Sequence, residues 1–171
     1  MFGKKKSDEA KTTHGGMTQD QVYDLIKSAF DNADLKYGED SDRKIIHTGF
    51  MGDDLPIRMN IIVEKMAIRI VCQLDFKSSP DSYSKVAWEL NCINKTLSFG
   101  AFYLDPDDGY VMFEDAFPYR EAQISEGFII AFCKMMADTV DSHDGDLKKI
   151  AESVPRSRSN EPMFGRSGLG A

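Results

Sequence analysis

Much of what usually betrays a function is missing from this chain. Only three cysteines, Cys72, Cys92 and Cys133, occur in 171 residues, and none stands in a CxxC pair or at zinc-type spacing. That excludes a disulfide framework and leaves the thiols as small apolar groups of a reduced, cytoplasmic protein. Histidine is equally scarce: His14, His47 and His143 fall in separate segments with no i, i+4 partner, so no zinc site is expected. The longest apolar runs fall far short of the roughly 20 residues a membrane span needs. The basic start Met1-Phe2-Gly3-Lys4-Lys5-Lys6 has no apolar stretch behind it to make a secretory signal, and a glycine at position 3 instead of 2 removes the N-myristoylation pattern. GxSxG, a Walker lysine loop, GxGxxG and HExxH are all absent. No catalytic residue, cofactor or metal site is expected, and no membrane partner.

What is present is an acidic body with enough apolar content for one domain: 42% hydrophobic and 29% charged residues, with mean hydropathy −0.38. The net charge of −7 is unevenly placed. Residues 1–17 and 153–171 each carry a net +2, which leaves 14 basic and 25 acidic residues, net −11, on the segment between them. Such a body repels phosphate backbones, so nucleic acid is not an expected partner, whereas a basic or amphipathic polypeptide is. The two basic ends lack periodicity and are expected to be a flexible arm (1–17) and a disordered Ser/Arg/Gly/Pro tail (153–171) around a single domain, 18–152.

Within that domain the hydrophobic period changes several times. Thr18 with Gln21 forms a capping-box pattern ahead of Val22, Leu25, Ile26, Ala29 and Phe30, which predicts an amphipathic helix. Period-2 alternation then predicts three antiparallel strands: Lys44–Met51, Ile57–Val63, and Met66–Lys77 beyond a tight turn at Glu64-Lys65. Ser78-Ser79-Pro80-Asp81 opens a second helix whose stripe is Tyr83, Val86, Ala87, Leu90, Asn94 and Leu97. Phe99–Asp105 and Tyr110–Ala116, joined by Pro106-Asp107-Asp108-Gly109, predict a hairpin whose first strand is apolar on both faces. A third helix is expected from Ser125 to about Asp141, its main stripe Phe128, Ala131, Phe132, Met135 and Thr139, widened by Ile129, Cys133, Met136 and Val140. A helix so broadly apolar is either deeply buried or covered by another chain. A separate short helix is expected over Asp144–Glu152.

Trp88, the only tryptophan, lies about 150° from the apolar stripe of its helix, with Cys92 one turn further on beside it. Two readings stand: the indole is covered within the monomer, by a different phase of the helix or by a loop of the same chain, or it anchors a subunit or partner contact, for which tryptophan is the most enriched residue. With the doubly apolar strand that follows, Trp88, Cys92, Phe99, Phe102 and Tyr103 are the candidate contact residues. The acidic loops carry a rival reading. Asp141–Glu152 has an acid first and a Glu twelfth, as in a calcium loop, but its Gly is fifth, and Leu147 and Lys149 stand at ligand places. Asp105, Asp107 and Asp108 read first as turn-closing residues.

The deduced order, helix, three strands, helix, two strands, helix, resembles type III secretion chaperones and the bacterial YbjN-type family of sensory transduction regulators. The residues that carry the likeness are Glu89-Leu90-Asn91-Cys92-Ile93-Asn94, then Gly100-Ala101-Phe102-Tyr103-Leu104-Asp105 and Gly109-Tyr110-Val111. The resemblance implies an α+β fold, a five-stranded antiparallel sheet with helices on one face, commonly dimeric and working by binding polypeptide. In the secretion chaperones the second helix often contributes to the dimer contact, which would give Trp88 a use. The function expected is a non-enzymatic, chaperone-like or regulatory protein-binding module, a cytoplasmic homodimer with a further, unidentified protein partner. The alternatives are a small-ligand or divalent-metal sensor or enzyme using the acidic loops, and a purely structural subunit of an assembly.

Overall fold

A computed structural model describes residues 16–153; the expected arm and tail fall almost wholly outside these. The first helix, α1 (Gln19–Asn32), begins where the capping box places it: the Thr18 hydroxyl accepts from the Gln21 amide, and the Gln21 side chain accepts from the Thr18 amide at 2.9 Å. It stops because Asp34 takes a left-handed φ of 53°, which lets the Leu35 amide bond the Phe30 carbonyl at 2.9 Å, a Schellman closure.

Six strands follow instead of five: β1 (Gly38–Asp40), β2 (Ile45–Met51), β3 (Pro56–Val63), β4 (Ala67–Lys77), β5 (Ala101–Leu104) and β6 (Tyr110–Pro118). All neighbours are antiparallel, in the order β1-β2-β3-β4-β6-β5. The strand without a sequence signal is β1, whose Gly-Glu-Asp carries no apolar residue. It pairs Gly38 with His47 at the sheet's outer edge, and Glu39 is held by the Tyr23 hydroxyl at 2.9 Å and the Lys27 ammonium at 2.8 Å.

A 3-10 turn, Pro80–Ser82, leads into α2 (Tyr83–Asn94), and Ser125 caps α3 (Glu126–Glu152) through a bond from the Phe128 amide. The third helix runs unbroken to Glu152, so the expected boundary near Asp141 and the separate short helix do not exist. Gly145 in mid-helix costs only about 1 kcal/mol, which packing on the sheet outweighs. The helix also sits at a different phase from the one its sequence favoured. Its buried stripe is Ile129, Phe132, Cys133, Met136, Ala137, Val140, Asp144, Leu147 and Ala151, while Ala131 is exposed and Met135 and Thr139 are half-buried.

The helices pack side by side on one face of the sheet, with α3 central between α1 and α2. Strand alternation supplies the other half of the core. Ile57, Met59, Ile61 and Val63 of β3 face the helices beside Ile68, Ile70, Cys72, Leu74 and Phe76 of β4, in a register that sets Ile61 opposite Ile70. The opposite face carries polar cross-strand pairs: Arg58 to Asp75 at 2.9 Å, His47 to Asn60 at 2.7 Å, and Arg69 between Glu64 and Glu114. One buried carboxylate departs from this division. Asp144 is 1% exposed in the core stripe of α3, and neither oxygen has a hydrogen-bond partner.

Candidate protein-binding surface

Strand β5 is four residues long and pairs only with β6, so its far side is the edge of the sheet. Such an edge offers unpaired peptide groups to any passing strand. Here α2 lies along it, and Asn94, in the last turn of α2, fills part of the vacancy. Its carboxamide donates to the Phe102 carbonyl at 2.9 Å and accepts from the Phe102 amide at 2.8 Å. One side chain thus stands in for a missing strand at one residue. The alternation of an antiparallel ladder turns the peptide groups of Leu104 the same way as those of Phe102, beyond the reach of this plug.

Between α2 and this edge lies an open groove of about 400 Å³, with Ser84, Ala87, Asn91 and Asn94 on its helical wall and Tyr103 and Leu104 on the other. Trp88 is not part of the lining; it lies on the same helix one position after Ala87, turned outward and 67% exposed, with exposed Cys92 one turn along. No loop of the described chain covers the indole. Tyr103 emerges across the groove on the open face of the sheet, 39% exposed, its hydroxyl 3.4 Å from Glu114. Partial burial first, and then the negative Glu114, push the Tyr103 phenol above its ordinary pKa, so it stays a neutral donor.

The five candidate contact residues therefore separate. Trp88, Cys92 and Tyr103 are exposed, the first two on the outer face of α2 and the third on β5. Phe99 is half-buried, its ring edge-on to Phe113 with centroids 6.3 Å apart. Phe102 does not belong to the surface: it is 3% exposed, stacked at 4.6 Å on Phe113 and edge-on to His143 at 5.7 Å. Alternation explains the split, because on a strand apolar on both sides only one side can face the helices. Asn94 was legible as a member of the helix's inward stripe, and Asn91 and Asn94 as part of the segment that carries the likeness; what gives Asn94 its role is the strand edge beside it.

The acidic loops are occupied with their own backbone. Asp105 accepts from the Asp107 amide and Asp108 from the Tyr110 amide, both at 2.9 Å, closing the turn at Gly109, whose φ is 80°. Asp141–Glu152 lies wholly within α3, and Asp141 accepts from the Asp53 amide at 2.6 Å. Among the described residues no three His, Cys, Asp or Glu side chains gather so as to hold a metal ion. His14 falls outside the described residues. Burial pushes the Cys72 and Cys133 thiols up to about 12, so both are inert, in contrast to exposed Cys92. No helix among the described residues is long and apolar enough to cross a membrane.

Two solved structures share this arrangement. YbjN from E. coli is 13% identical with a TM-score of 0.57, over 70% of this chain and 85% of that one. A protein of uncharacterized function from Methanothermobacter thermautotrophicus is 14% identical with a TM-score of 0.52, over 75% of this chain and 97% of that one. At such identities the likeness concerns the fold alone. No curated protein matches the chain. The sequence profile described as "YbjN: Putative bacterial sensory transduction regulator" matches residues 23–148, from the second turn of α1 to the last turns of α3, and the chain belongs to that family.

Proposed function

We propose that this protein is a non-enzymatic regulatory module that works by binding polypeptide, and that its first partner is a second copy of itself. The contact is the outer face of α2 together with the free edge of β5. The observation that carries this reading is Trp88, 67% exposed on the helix whose last turn carries Asn94, the partial plug of the strand edge. A large indole held in water on a rigid helix is costly unless something covers it, and tryptophan is the commonest anchor of protein contacts. The acidic body supports a basic or amphipathic polypeptide as the further partner. The chaperone-like order of elements supports the same surface, because there the second helix contributes to the dimer.

Light scattering across a dilution series tests the proposal. Wild type is expected to pass from dimer to monomer, and Trp88→Ala, which removes about 2 kcal/mol at an anchor position, to weaken self-association roughly 30-fold with unchanged helix content. A monomer at every concentration, or an unaffected variant, counts against it.

A further inference from the structure

The surface of α3 turned away from the sheet leaves a second apolar groove, of about 510 Å³, between its middle turns and the segment after α2. Leu97 and Phe99 form one wall and Ala131 and Met135 the other; Thr139 and His143 close one end, and the Lys134–Asp138 bridge at 2.8 Å lies on the rim. Ala131, Met135 and Thr139 belong to the main stripe expected from the sequence, and the fold leaves them exposed or half-buried while Phe132 of the same stripe turns into the core. We propose that the groove is the docking site of the chain's own C-terminal segment, with Met163 and Phe164 seated against Leu97, Phe99 and Met135.

Four features select this occupant. First, the chain leaves α3 on the correct side. Ser153 follows Met135 by 18 residues, which at 100° per residue is a whole number of turns, so the exit lies on the stripe that leads back to the groove. Second, the Lys85 ammonium of α2 bonds the Ser153 hydroxyl at 2.9 Å, so the last described residue sits against α2, the helix that leads into the groove's other wall. Third, the reach is sufficient. Going back along α3 from Ser153, the groove begins about 15 Å away at His143 and Met135 lies about 27 Å away, while residues 154–162 extended span about 30 Å. Fourth, the charges match: residues 153–171 carry a net +2 and the body a net −11. On α3 the acids nearest this path, Asp138 and Asp146, are already bridged by Lys134 and Lys149, each at 2.8 Å, so the match is one of overall charge and not of single pairs. Within that segment Met163-Phe164 is the only adjacent pair of large apolar residues, as an anchor in a groove this size requires.

A docked tail covers Met135 but leaves Met51, 83% exposed on β2, untouched. Peroxide oxidation of the full-length protein, quantified for each methionine by mass spectrometry, is the test. In the Met163→Ser/Phe164→Ser variant the oxidation rate of Met135 relative to Met51 is expected to rise about 3-fold or more, with an unchanged far-ultraviolet spectrum. Both substitutions lie beyond α3, so the fold is preserved. An unchanged ratio overturns the proposal. So does a Met135 protection that disappears on dilution, which would make the occupant a second copy, or one released by Phe2→Ser alone, which would make it the N-terminal segment.

Discussion

Replacing Asp144 by Asn isolates a single buried charge. Asp144 occupies a core position of α3 between Val140 and Leu147, 1% exposed, with both carboxylate oxygens unpartnered. Burial raises its pKa from 3.8 to about 6, and the nearby carboxylates of Asp141 and Asp54 add to the rise. The folded protein therefore holds this proton more tightly than the unfolded chain does. The stabilising contribution is complete below about pH 4 and is lost as pH rises through about 6. A difference of about 2 pKa units corresponds to about 3 kcal/mol, so near pH 7.5 the ionised carboxylate makes the fold about 3 kcal/mol less stable than it is with the acid protonated. Asn keeps the shape and removes the charge, at a cost of about 1–2 kcal/mol for its own unmet amide bonds. Urea unfolding at pH 4.5, 5.5, 6.5 and 7.5 should show the variant equal to or weaker than wild type at the acid end and about 1–2 kcal/mol stronger at pH 7.5. Taking the difference between the two proteins cancels the titration of every other carboxylate. A difference independent of pH, or one that moves against the variant as pH rises, refutes the reasoning.

The plug at the sheet edge and the three thiols give further expectations. Asn94→Ala deletes both bonds to Phe102 and bares the β5 edge; it is expected to cost about 1–2 kcal/mol in urea unfolding and to increase edge-to-edge association seen by light scattering, and a variant as stable and as soluble as wild type would show that the plug is idle. Native alkylation followed by intact-mass measurement is expected to add one label, on Cys92, and three only after denaturation, because the Cys72 and Cys133 thiols are buried and held protonated; three labels on the folded protein contradict the packing described. Trp88→Ala should keep the end point of one label while Cys92, no longer covered by a second copy, reacts faster at high protein concentration; equal rates in both proteins would place Cys92 outside the contact.

How much of this was legible in the sequence depends on how many independent signals each element carried. The alternation through Ile57–Val63 and Ile68–Phe76 was unmistakable because one face of each strand is packed and the other carries Arg58, Arg69 and Asp75. The capping box at Thr18 and the turn at Gly109 were equally clear, each resting on a named hydrogen bond. By contrast β1 is set by pairing with β2 and by Glu39 meeting Tyr23 and Lys27, all of it information from distant residues. Around α3 the apolar residues nearly encircle the helix, so periodicity could not choose a phase, and the packing of Met136 and Val140 on the sheet decided it. Asp144 misled for the same reason: a polar residue beside Gly145 reads as a boundary until the core around it is seen. On the proposed contact surface the outward turn of Trp88 was recognisable from its phase alone. The inward turn of Phe102 was not, since its neighbours on β5 are apolar too, and the role of Asn94 exists only once the edge of the sheet is known.

The central claim is that the outer face of α2 is covered when the protein associates, and Trp88 reports on this directly because it is the only tryptophan in the chain. Its fluorescence emission, followed from the most dilute readable sample up to the concentration of a crystallisation drop, is expected to move from the wavelength of a water-exposed indole toward the blue as the mass doubles. An emission maximum that stays at the exposed position while the mass doubles would place the contact elsewhere, and one already blue-shifted in the monomer would mean that the chain covers its own indole.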